Sequence, residues 1–105
     1  MNISDLLILL EKLVQLPTET EWLEFKVDNS NPEMIGEKIS ALSNGATLRN
    51  KPFGYLIFGV EDATHQIIGT TFKPVSTKKG SEELEHWIAQ RLSPKIDFQI
   101  HTFDY

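Results

Sequence analysis

The chain has 105 residues, 40% of them hydrophobic and 24% charged, which is the balance of one ordinary globular domain with no room for a second core. Ten Lys and Arg stand against fifteen Asp and Glu, a net charge of −5, so only a local basic patch, not the overall field, could draw the chain to nucleic acid. The absence of cysteine excludes disulfides, thiolate zinc sites and cysteine nucleophiles.

The first element in chain order is a helix. Asn2, Ser4 or Asp5 can cap it, and Ile3, Leu6, Leu7, Leu10, Leu13 and Val14 recur at helical spacing. Pro17 ends it by residue 16, so the first helix is assigned to 1–17 and the core of the domain to 18–105. Its wide apolar stripe predicts burial against the domain or a partner. The run Leu6 to Leu10 is far below the ~20 residues that span a bilayer, and no basic leader precedes it. A cytoplasmic protein with no membrane partner is expected.

Glu21 to Val27 alternates. Leu23, Phe25 and Val27 are expected to face a core, with Trp22, Glu24 and Lys26 on the other face. Pro32 sits at a helix start after Asn31, and Ile35, Ile39, Leu42 and Ala46 supply the inward stripe. Asn44-Gly45 reads as its C-terminal stop. Gly54 to Val60 is aromatic and β-branched without a break, as in a strand buried on both faces. Glu61 to Gln66 then connects to a second strand, Ile67 to Phe72, as a hairpin.

Lys73 to Gly80 reads as a loop. Ser81 is placed to cap a third helix with Glu82 and Glu83 in its first turn and Leu84, Trp87, Ile88 and Leu92 on one face. Ile96 to His101 alternates like a final strand. The expected fold class is therefore α/β (α+β), a single-domain sandwich over residues 1–105 with a mixed β-sheet flanked by helices. The chain running out so soon after a strand suggests an N-terminal fragment of a longer protein.

No phosphate-binding glycine loop, zincin or hydrolase motif is present, and His65, His86 and His101 are too scattered to share a metal. The acids are more suggestive. Glu19, Glu21 and Glu24 cluster about the first strand, and Glu61-Asp62 follows the central one. Carboxylates at neighbouring strand ends can hold a hard divalent cation, which activates water and neutralises a phosphodiester. An odd spacing sends Glu19 and Glu24 to opposite faces of a straight strand, so they converge only if the chain bends near Pro17. Spacing alone favours solvated charges. Lys26, Arg49, Lys51, Lys73, Lys78 and Lys79, with an accessible Trp22, are the ingredients of a phosphate-contacting surface, and equally of any soluble surface.

Taken in order, Glu19-x4-Glu24-Phe25-Lys26, Ala41-Leu42-Ser43-Asn44, Gly54-Tyr55-Leu56-Ile57-Phe58-Gly59-Val60-Glu61-Asp62 and Ile68-Gly69 resemble the Schlafen/AlbA-like domain. The resemblance implies that family's fold and a role with nucleic acid, DNA or RNA. Bacterial members are described as DNA-binding domains or transcriptional regulators carrying a further C-terminal region. Animal members that cleave tRNA and rRNA use three acids with a divalent metal. By motif position these fall on Glu19, Glu24 and Asp62, with Mg²⁺ or Mn²⁺ as the implied cofactor. The segment Asn44 through Phe53 departs from the family's shorter, glycine-rich form. Nuclease members also pair two lobes, which here a homodimer would supply.

Three functions follow as expectations. The first is a nucleic-acid-binding module, the N-terminal domain of a transcriptional regulator, with contacts through Trp22, Lys26, Arg49, Lys51, Lys78 and Lys79. The second is a metal-dependent endoribonuclease using Glu19, Glu24 and Asp62, with Lys26 facing phosphate. The third is a non-catalytic interaction domain whose first helix docks on a partner or on the missing C-terminal region.

Overall fold

A computed structural model describes residues 2–16, 20–28, 31–74, 78–79, 82–92 and 96–105. The elements, in order, are α1 (Ile3–Val14), β1 (Leu23–Lys26), α2 (Pro32–Leu48), β2 (Tyr55–Phe58), β3 (Lys78–Lys79), β4 (Glu82–Glu83) and α3 (Leu84–Arg91). β1 and β2 pair in parallel, Leu23 opposite Tyr55 through Lys26 opposite Phe58, so α2 is the crossover of a β-α-β unit. Among the described residues, three helices and a parallel strand pair make the chain mixed α/β. No helix among the described residues is long and apolar enough to cross a membrane.

The alternation of β1 decides the packing. Leu23 and Phe25 are 0% and 1% exposed, whereas Glu24 and Lys26 are only half-buried. Leu23 and Phe25 join Leu10 and Leu13 of α1 and Val60 in one cluster, and the His65 and Phe25 rings meet edge to face at 4.7 Å between centroids. Leu56 and Phe58 of β2 pack instead against a second cluster of Ile35, Leu84, Trp87, Ile88 and Leu92, drawn from α2, α3 and the residue after it. The β1–β2 pair thus contributes to both clusters, with α1 in one and α2 and α3 in the other. The stripe of α1 is only partly used: Leu10 and Leu13 are buried, but Ile3 is 61% exposed.

Both long helices begin as their sequences dictate. The Asp5 amide donates to Asn2 Oδ1 (2.9 Å), and the Met34 amide donates to Asn31 Oδ1 (3.0 Å) ahead of Pro32 at the first turn. The expected stop of α2 at Asn44-Gly45 is wrong. The helix continues to Leu48, and Gly45 is buried within it. A Cβ at Gly45 would overlap the carbonyl oxygen of Glu21, so this glycine serves close approach of helix and chain.

The expected hairpin is also reduced. Only one bridge, Val60 to Ile67, joins its arms, and the amides of Ile68 and Gly69 both donate to the single carbonyl of Gly59 (2.8 and 2.9 Å). Gly59 and Gly69 take positive φ, +106° and +86°, and this bulge-like convergence ends the ladder. Beyond it, Thr70 and Thr71 are held by Asp28: the Thr71 amide donates to Asp28 Oδ1 (2.7 Å), and both hydroxyls lie against the same oxygen. No ladder forms over 67–72: the amides of Ile68 and Gly69 go to Gly59 O, that of Thr71 to Asp28 and that of Phe72 to Thr70 Oγ1.

Glu82 and Glu83 pair with Lys79 and Lys78 as two-residue strands instead of opening α3, which starts at Leu84 with no side-chain cap; the expected cap, Ser81, lies outside the described residues. Residues 96–101 form no strand, although Ile96 and Phe98 still pack inward against the α2–α3 cluster.

Candidate functional site

The end of the parallel pair where both strands begin is built by a turn on each side. Before β1, Thr20 bridges to Leu23, and the Trp22 amide donates to Thr20 Oγ1 (3.2 Å). Gly45 allows α2 to press on the Glu21 backbone, which fixes this turn against the helix. After α2, Asn50 adopts φ +55° and the Lys51 amide donates to Ala46 O (2.8 Å), so the chain reverses tightly into β2. The Tyr55 amide donates to Trp22 O (2.8 Å) and locks the two turns together.

Four side chains meet there. Arg49 forms a two-pronged pair with Glu21, Nε donating to Oε2 (3.1 Å) and Nη2 to Oε1 (2.7 Å). The hydrogen bonds from Arg49, and then its charge, lower the pKa of the Glu21 carboxyl, and the hydrogen bonds to Glu21, and then its charge, push Arg49 upward. Lys51 Nζ lies over the Trp22 ring, 5.1 Å from its centroid. Thr20, Glu21, Trp22, Arg49 and Lys51 border a shallow open pocket of about 560 Å³.

A second, more apolar groove of about 280 Å³ adjoins it, walled by Lys12 and Leu13 of α1 and by Trp22, Lys51, Phe53 and Tyr55. Trp22 and Tyr55 meet edge to face at 6.2 Å, and Phe53 tilts toward Tyr55 at 6.4 Å. Phe53 is 64% exposed, while burial pushes the Tyr55 hydroxyl up from its ordinary pKa.

Lys26 does not join this surface, contrary to the face-sharing expected from alternation. Trp22 stands in the turn before β1 and packs on the α1 cluster. Lys26 lies near α2, where Glu24 is held between two ammonium groups, Lys38 Nζ at 3.1 Å from Oε1 and Lys26 Nζ at 3.2 Å from Oε2. Oε2 is shut off from solvent, and its ion pair with Lys26 lacks hydrogen-bond geometry. The Glu24 carboxylate is therefore engaged by two lysines.

Asp62 is exposed in the turn after β2. That turn is anchored toward α1, with His65 Nδ1 3.3 Å from Val14 O, whereas the Glu24 carboxylate opens toward Lys38 of α2. Glu19 lies outside the described residues. Among those described, no three His, Cys, Asp or Glu side chains are grouped to hold a metal, and the implied trio includes Glu19, which is not among them. Asp28, at the other end of β1, is instead a structural acid. The Thr71 amide and then the Thr70 hydroxyl lower its pKa against a smaller opposing effect of burial. Lys78 and Lys79 form β3.

Sequence reasoning passes over Lys12, Lys38 and Phe53, and takes Tyr55 only as a strand residue. The alternation of Lys51, Phe53 and Tyr55, one cation followed by two rings, is the signal that could find the groove wall. Nothing in the sequence indicates that Glu21 and Arg49 meet across 28 positions.

The family model of Schlafen, AlbA_2 matches residues 19–105, so the chain belongs to that family. No curated protein and no solved structure matches the chain. The family is consistent with a nucleic-acid-related role.

Proposed function

We propose that this chain is a nucleic-acid-binding module, in the manner of a transcriptional regulator's N-terminal domain, and that it binds through the strand-start end of its parallel pair. The observation that carries the reading is Lys51 over the half-buried ring of Trp22, beside Arg49 and the exposed Phe53. Cations interleaved with aromatic rings serve both phosphates and bases. Two further lysines, Lys26 and Lys38, are engaged by Glu24. With a net charge of −5, contact must be local.

The test is a titration of the chain with tRNA and with duplex DNA at low salt, with and without Mn²⁺. Binding that is independent of Mn²⁺, weakened by Lys51→Ala and without strand scission supports the module. Mn²⁺-dependent scission abolished by Asp62→Asn would favour the competing reading, a ribonuclease using Glu19, Glu24 and Asp62. No binding to either nucleic acid would leave the interaction-domain reading.

A further inference from the structure

We infer that the ligand of this end is single-stranded nucleic acid, with a base lodged in the groove between Trp22, Phe53 and Tyr55 and its phosphate on Lys51, and that Glu21 holds Arg49 back as a second phosphate contact. The inference rests on the nucleic-acid reading above and adds the form of the ligand and the residue that limits its affinity.

The first part follows from what the groove offers. Its walls are rings and aliphatic side chains, Trp22, Phe53, Tyr55 and Leu13, rimmed by Lys12 and Lys51. A ring attracts the flat face of a base, and a duplex hides those faces in its stack, whereas an unpaired strand can present them. A duplex can use only the cations, and they are few. Of the three cations that line the two pockets, Lys12, Arg49 and Lys51, Lys51 rests on the Trp22 ring and Arg49 is occupied by Glu21.

The second part follows from the Glu21–Arg49 geometry. Both prongs of the guanidinium are aligned on carboxylate oxygens, at 3.1 and 2.7 Å, the arrangement by which arginine grips a phosphate. The pair is accessible, with the two side chains 61% and 50% exposed, and it lines the same pocket as Lys51 and Trp22. A phosphate arriving at Lys51 must displace Glu21 to gain Arg49. Glu21 thus stands in the phosphate's place and keeps binding weak unless a base also stacks.

The test uses a labelled oligo-dT and a duplex of equal length in fluorescence anisotropy with the whole chain over a series of salt concentrations. Wild type should bind the single strand at least about tenfold more tightly than the duplex, as stacking of one or two bases provides. Phe53→Ala removes an exposed ring without opening either cluster, and should weaken single-strand binding by about 5- to 150-fold with little effect on the duplex. Glu21→Gln should tighten single-strand binding and steepen its salt dependence by about 0.7 in log–log slope, one added phosphate contact.

Equal or tighter binding of the duplex by wild type would overturn the inference while leaving nucleic-acid binding intact. So would single-strand binding unmoved by both Phe53→Ala and Glu21→Gln. Loss of affinity in Glu21→Gln would make Glu21 an organiser of Arg49 and overturn the second part. Failure of wild type to bind either ligand would remove the function itself.

Discussion

Two glycines of α2 meet opposite surroundings, and replacing each by alanine separates helix propensity from packing. At Gly36 an added Cβ meets nothing within 4 Å. Alanine there gains the propensity difference, about 0.5–1 kcal/mol. At Gly45 the same gain is opposed, because the Cβ would overlap Glu21 O and come within 2.5 Å of its carbonyl carbon and 2.9 Å of its Cβ. These are largely backbone atoms, so relief requires moving α2 or the turn before β1. Overpacking of this kind costs about 1–3 kcal/mol, which outweighs the propensity gain. Gly36→Ala should therefore unfold at higher urea than wild type and Gly45→Ala at lower, with a difference of roughly 1–3 kcal/mol between them. For a domain of this size that corresponds to about 4–8 °C of melting temperature per kcal/mol. The displaced turn carries Glu21 and Trp22, so Gly45→Ala should also disturb the groove. Equal stabilities for the two variants, or a more stable Gly45→Ala, would refute the close approach on which the site's geometry depends.

Phe25→Ala, at a side chain 1% exposed, should cost about 3–5 kcal/mol in urea unfolding, a large part of an expected total of about 5–15; a loss below about 1 kcal/mol would contradict the register of β1. Asn50 holds φ +55°, so Asn50→Ala should destabilise by about 1 kcal/mol while Asn50→Gly is tolerated, and the reverse order would contradict the left-handed turn. Glu21 and Asp28 have folded pKa values below their unfolded ones, so their contribution to stability is present above the ordinary carboxylate range and is lost as pH falls through the folded values. Acid unfolding should flatten below about pH 4 in Asp28→Ala relative to wild type, and identical acid limbs would remove Asp28 as the anchor of Thr70 and Thr71.

The legible parts of this fold are those with a local physical signature. Alternation gives the faces of Leu23 and Phe25, helical spacing gives Ile35, Leu42 and Ala46, and Asn2 and Asn31 mark caps. The misread parts depend on distant partners. Gly45 has the look of a helix stop but serves a contact with Glu21, which lies far from it in sequence. Ile67 to Phe72 has strand composition, yet its amides go to Gly59 O, Asp28 and Thr70 Oγ1, with no strand ladder beyond the single bridge at Ile67. The same holds for the site. Lys26 and Arg49 read as free cations until Glu24 and Glu21 are seen beside them, and the first pairing was within reach, since Glu24 and Lys26 are two apart on one strand face. Phe53 lies before β2, and only its alternation with Lys51 and Tyr55 links it to the groove.

Amide and indole NMR shifts of the chain titrated with an unpaired oligonucleotide locate the interface directly. Perturbations should concentrate at the Trp22 indole, Lys51, Phe53 and Tyr55 and extend to Lys12 and the Arg49 side chain, with Lys26, Lys38 and Asp62 unmoved. Perturbations centred on Lys26, Lys38 and Asp62, with the Trp22 indole unchanged, would contradict this placement.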